Sequence, residues 1–153
     1  MSVKLAPGGN RMKNAECIIV DTGVIICHLR NLPGVKRLLV RVAEHTPLAI
    51  AAISAVEIWQ GAKPAEAEKT RLLLQGFKVI PLDEHLAEQA GCLAYRLRTK
   101  GFIIGLADAV IGATAHHLEA PVLTTNRKHF EIIPDLEVWD LRAVLGEFGV
   151  DEK

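Results

Sequence analysis

The sequence predicts an α/β fold, with a mostly parallel five-stranded sheet and helices on both faces. Three observations carry this. Short apolar runs of strand length recur at residues 18–20, 48–53, 77–82, 121–125 and 137–139. The segments between them place apolar residues at helical spacing. Strand and helix alternate from start to finish, and parallel pairing needs such a crossover between successive strands.

In order, the first run Ile18-Ile19-Val20 ends in Asp21-Thr22-Gly23, so a buried strand delivers a carboxylate to its C-terminal edge. In open α/β sheets, ligands gather at that edge. A short apolar helix follows over 24–29, and Pro33-Gly34 punctuates. Residues 35–45 form a helix with Val35, Leu38, Leu39 and Val42 on one face and Lys36, Arg37 and Arg41 on others, until Pro47 breaks it.

After the second strand, Ser54 is the expected N-cap, with Glu57 completing a capping box. That helix carries Val56, Ile58 and Trp59 to Gly61, and Pro64 opens another, rich in Ala, Glu and Lys, that ends near Gly76. Asp83 starts a long amphipathic helix with Leu86, Ala90, Leu93, Ala94 and Leu97 inward; Arg96, Arg98 and Lys100 close it before Gly101. Asp108 lies at the start of an Ala-rich helix in which Gly112 and Ala113 permit close packing. Residues 141–147 form a terminal helix. One domain is expected over 15–147, with polar tails at 1–14 and 148–153; Met12 is an alternative start within the first tail.

Composition excludes several classes. Lys plus Arg and Asp plus Glu balance at 18 each, so the chain does not grip nucleic acid by bulk charge, although a local basic patch is compatible. Few aromatic residues argue against a base-stacking platform. Cys17, Cys27 and Cys92 form no paired motif, which fits free thiols in a reducing cytoplasm. No run reaches the ~18 apolar residues of a membrane span, and the N-terminus lacks a signal-peptide core.

The informative residues are acids in apolar surroundings. Asp21, Glu57 and Asp108 each follow a strand or open a helix, with no Lys or Arg close by in sequence; Asn126 follows the fourth strand at the same sheet edge. Singly, each has a plain structural role as helix cap, capping-box acid, dipole partner or turn residue. Together they form a different pattern. Two bare carboxylates ~4 Å apart repel by about 4 kcal/mol at an effective dielectric near 20, so protonation or a cation must relieve them. An oxygen-only set favours Mg²⁺ or Mn²⁺ over Zn²⁺.

From residue 17 to 141 the sequence resembles a PIN domain, a three-layer α/β/α fold. The resemblance rests on Ile-Val-Asp21-Thr22, on Ser54-Ala-Val-Glu57 with Gly61, on Ala107-Asp108-Ala109-Val-Ile-Gly-Ala-Thr114, and on Thr124-Thr125-Asn126-Arg-Lys-His-Phe130. Order and spacing are those of VapC-like toxins of toxin–antitoxin pairs. The resemblance implies an Mg²⁺- or Mn²⁺-dependent endoribonuclease that forms a homodimer and is silenced by an antitoxin. Asp21, Glu57 and Asp108 match the family's core acids. Asn126 stands where many relatives have a fourth acid, which leaves one ion or two open. Thr22 and Thr125 match polar positions that support the site.

Such a centre would activate water for in-line attack on an RNA phosphodiester. Arg127 and Lys128, with Arg96, Arg98 and Lys100 behind them, are candidates to hold flanking phosphates. His116, His117 and His129 are expected on the surface or in packing rather than on metal. A phosphatase that opens on the same strand-end Asp wants a second acid at 23, where this chain has Gly23. A receiver domain wants a Lys ending a late strand, where Thr124-Thr125 stand. The remaining alternatives are a PIN-like module kept only for binding RNA or a partner, and a housekeeping PIN nuclease with no antitoxin.

Overall fold

The computed structural model describes residues 15–147. The expected tails at 1–14 and 148–153 lie outside the described residues. Five short strands form one sheet: β1 (Ile18–Val20), β2 (Leu48–Ala51), β3 (Lys78–Ile80), β4 (Val122–Thr124) and β5 (Val138–Asp140). Their order is β3-β2-β1-β4-β5, and every pairing is parallel. The sheet is thus wholly parallel, and all five strands end at the same edge. β1 lies at the centre, between the first strand of each half, and the order reverses direction there. This is the topological switch point at which such sheets bind ligands.

Alternation along the strands divides the core. Ile18, Val20, Leu48, Ile50 and Leu123 point to one face, where α1 (Thr22–Leu29), α2 (Val35–Ala43) and α8 (Leu141–Glu147) cover them. Cys17, Ile19, Ala49, Ala51 and Val122 point to the other, beneath α5 (Glu84–Thr99), α6 (Leu106–His117) and the single turn α7 (Arg127–Phe130). The second face is lined by small residues because α6 lies close to it. A Cβ on Gly112 would stand 2.4 Å from Ile133 Cδ1, so glycine lets that loop approach. The remaining helices, α3 (Ala52–Gly61) and α4 (Ala67–Leu74), flank the β2–β3 side, joined by a 3-10 turn at Pro64–Glu66.

Most expected boundaries hold within a residue or two, with one correction that matters. No loop separates β2 from α3: the helix begins at Ala52 with Ala51 as its N-cap. Ser54 is therefore not a cap, and Glu57 does not close a capping box. Ser54 is fully buried inside the helix, and its hydroxyl has no hydrogen-bond partner. By contrast, Asp83 caps α5 by accepting from the Leu86 amide at 2.8 Å.

The apolar faces read from α2 are core. Val35, Leu38, Leu39 and Val42 are all buried, while Val40 on the same helix is 53% exposed. Replacing Leu38 by Ala should therefore cost about 2–5 kcal/mol in urea unfolding. Val40→Ala should stay within about 0.5 kcal/mol of the parent chain.

Candidate metal and catalytic centre

Asp21 ends β1 and takes the N-cap position of α1, but its side chain makes no cap. Instead Thr124, at the end of β4, donates its hydroxyl to Asp21 Oδ2 at 2.7 Å. Both residues are buried, Thr124 completely and Asp21 to 8% exposure. The Thr124 oxygen also accepts the Asn126 amide at 2.9 Å. One threonine thereby fixes the strand-end acid and the turn that follows its own strand.

Glu57 lies a full turn into α3, and its Oε1 accepts the Thr22 hydroxyl at 2.9 Å. Asp108, in the first turn of α6, receives His129 Nδ1 at 2.9 Å on Oδ2. Neither carboxylate has a hydrogen bond on its second oxygen among the described residues. Burial pushes the Asp21 carboxyl above its ordinary value, and the charges of Asp108 and Glu57 push it the same way. Hydrogen bonds from Thr124 and the Thr22 backbone oppose them without prevailing. Asp21 thus feels both other acids, and among the described residues no Lys or Arg is paired with any of the three.

This donor set is carboxylate and hydroxyl, which suits a hard divalent cation. Among the described residues, no three His, Cys, Asp or Glu side chains are gathered tightly enough to enclose an ion outright.

The other residues singled out in the sequence fall into place less evenly. Thr22 joins Glu57 as above. Thr125 is exposed and has no side-chain hydrogen bond; its hydroxyl packs where a Cβ on Gly23 would sit, at 2.5 Å. Gly23 is thus a site of close approach between the first turn of α1 and the end of β4. Asn126 begins α7 without capping it, and its amide nitrogen meets the His129 ring at 3.1 Å. Arg127 pairs with Glu131 at 3.3 Å, and Lys128 is exposed beside it. Arg96 and Lys100 line a cavity of about 200 Å³ with Gln89 and His116, on the α5–α6 flank. Arg98 lies over the Tyr95 ring.

Two residues went unread in the sequence. Thr124, rather than its neighbour Thr125, holds Asp21; the alternation of β4 into its buried face was the available signal. His129 meets Asp108 across 21 residues, and no local pattern announced it. His116 is exposed, and His117 packs edge-on to His85 with ring centroids 5.6 Å apart.

Beside Glu57, a groove of about 340 Å³ opens between α1, α3 and α4, with Ile26, Leu29 and Ile58 as apolar wall and Arg30 and Lys69 as cations.

A family model for the PIN domain matches residues 18–136. Ribonuclease VapC10 of Mycobacterium tuberculosis is 36% identical over 120 residues, 78% of this chain and 90% of that relative. The solved VapBC-1 from nontypeable Haemophilus influenzae aligns with a TM-score of 0.70 and 27% identity, over 81% of this chain and 97% of that one. A toxin-antitoxin complex from Klebsiella pneumoniae aligns with a TM-score of 0.64 and 26% identity, over 81% of this chain and 99% of that one. With its sheet order, its strand-end acid and these matches over most of its length, the chain belongs to the PIN domain family, alongside the VapC ribonucleases.

Proposed function

We propose that this chain is a metal-dependent endoribonuclease, the toxin of a type II toxin–antitoxin pair, hydrolysing RNA phosphodiesters at Asp21, Glu57 and Asp108. The observation that carries it is the Asp21 carboxyl, pushed up first by its burial and further by the charges of Asp108 and Glu57, and paired with no cation side chain among the described residues. A fold does not keep such a group for stability, because an unpaired buried carboxylate is costly. Divalent-metal dependence is the norm of the family; for this chain we infer Mg²⁺ or Mn²⁺ from the oxygen donors.

Asp21, Glu57 and Asp108 would hold the ion, directly or through its waters. When bound, it supplies a water of lowered pKa and offsets charge on the reacting phosphate oxygens. The chain's own residues do the rest. Thr124 and Thr22 keep Asp21 and Glu57 turned inward, and the carboxylate oxygens left without hydrogen bonds can take a proton from the attacking water. Asn126 adds no charge, so the centre carries three acids. Lys128 and Arg127 stand on the adjoining turn as phosphate contacts.

The solved toxin-antitoxin complex among the relatives supports an antitoxin as partner, and the family resemblance adds a second copy of this chain. Phe102 and Ile103 on the α5–α6 connection and Leu106 at the start of α6 are 45%, 93% and 79% exposed, and exposed apolar side chains of this kind support an interface there. Free Cys17, Cys27 and Cys92 suit the cytoplasm. No helix among the described residues is long and apolar enough to cross a membrane.

Asp21→Asn should lower Mg²⁺- or Mn²⁺-dependent RNA cleavage by about 10²–10³-fold, the scale on which a polar centre loses one electrostatic group. EDTA should abolish parent activity, and undiminished cutting by the variant would overturn the assignment.

Melting separates the charge effect from the chemistry. The raised Asp21 carboxyl means that the metal-free native state holds a proton to higher pH than the unfolded chain. Stability should then fall as pH rises from the ordinary Asp range through the raised value. Asp21→Asn should flatten that fall and melt higher than the parent at neutral pH without metal. Mn²⁺ at 100 times its dissociation constant should stabilise the parent by about 2.7 kcal/mol and the variant far less.

Ile103→Asp should shift the chain from dimer to monomer in light scattering; a parent that is monomeric throughout would remove the second copy from the account.

A further inference from the structure

We propose that His129 is a positioning residue of the metal centre, holding the Asp108 carboxylate from outside. This rests on the reading above that Asp108 is a metal ligand. His129 Nδ1 lies 2.9 Å from Asp108 Oδ2, and Asn126 Nδ2 lies 3.1 Å from the ring nitrogens. An ionised carboxylate has no proton to give, so Nδ1–H is the donor to Asp108. Asn126 Nδ2 stands equally far from Nδ1 and Nε2, so it packs against the ring without selecting one nitrogen. The directed hydrogen bond is the one from His129 to Asp108.

The segment beneath this contact is anchored at two points. A single helical turn does not hold itself in water. α7 is held instead by Phe130, which is fully buried, and by Thr124, which accepts the Asn126 amide. Thr124 also donates to Asp21. The one segment from 124 to 130 therefore sets the orientation of two acids that come from different elements, β1 and α6. Side chains that hydrogen-bond metal ligands from behind fix their orientation and tune their basicity.

The His129 side chain is 55% exposed, so its bond to Asp108 adds little to folding. Its effect belongs to metal affinity, and this separates positioning from a structural role.

The test is Mn²⁺ binding to the full chain, followed by electron paramagnetic resonance, with metal-free melting measured alongside. His129→Leu should weaken Mn²⁺ binding about 10–100-fold, the usual cost of losing such a partner, with the metal-free melting temperature unchanged. His129→Asn, which places an N–H near the Nδ1 position, should recover part of the loss. The proposal fails if His129→Leu binds Mn²⁺ as the parent does, or if His129→Asn loses as much as His129→Leu. It fails as positioning if the Leu variant loses affinity only together with its fold. If the parent itself binds no Mn²⁺, the metal-centre reading falls and this one with it.

Discussion

The hydrogen bond from Thr124 to Asp21 joins the carboxyl ends of two neighbouring parallel strands, β4 and β1. It is short, buried and separated by 103 residues of chain. Between its two residues the chain carries β2, β3 and the α5–α6 pair, so the contact ties distant parts of the sequence together. Once formed, it places a carboxyl group at the switch point of the sheet. It also hands its oxygen to the turn that carries Asn126, Arg127, Lys128 and His129. The fold and the site share this contact.

Charge then decides what the contact is for. A threonine hydroxyl can orient a carboxylate, but it cannot neutralise one. Asp108 and Glu57 add repulsion, and the nearest partners are hydroxyl, amide and imidazole rather than ammonium or guanidinium. Two of the acids have a spare oxygen. The protein has oriented its carboxylates and left their charge unanswered, and the proposed cation site rests on that arrangement. The two sheet faces show the complementary economy: small residues where α6 must come close, larger ones beneath α1 and α2.

The sequence showed the fold well because period-two strands and amphipathic helices are local signals. Ile18-Ile19-Val20 before Asp21, and the Leu38–Leu39–Val42 stripe, could be read without knowing any partner. The acids were legible for a related reason, since a carboxylate in apolar sequence is conspicuous wherever it sits. What could not be read was tertiary pairing. Ser54 resembled a cap because Glu57 stands three residues on, yet β2 passes into α3 without a loop and moves the cap to Ala51. Thr124 and Thr125 are identical in type, and only the direction in which β4 meets β1 tells which one faces Asp21. His129 belongs with Asp108 through the packing of Phe130, a contact with no trace in local spacing.

Anomalous diffraction at the manganese edge, from crystals of the full chain soaked in Mn²⁺, tests the centre most directly. The account predicts an ion at the C-terminal edge of β1, within direct or water-mediated reach of Asp21, Glu57 and Asp108. An ion bound only elsewhere, or none at millimolar Mn²⁺ with the acids accessible, would contradict it.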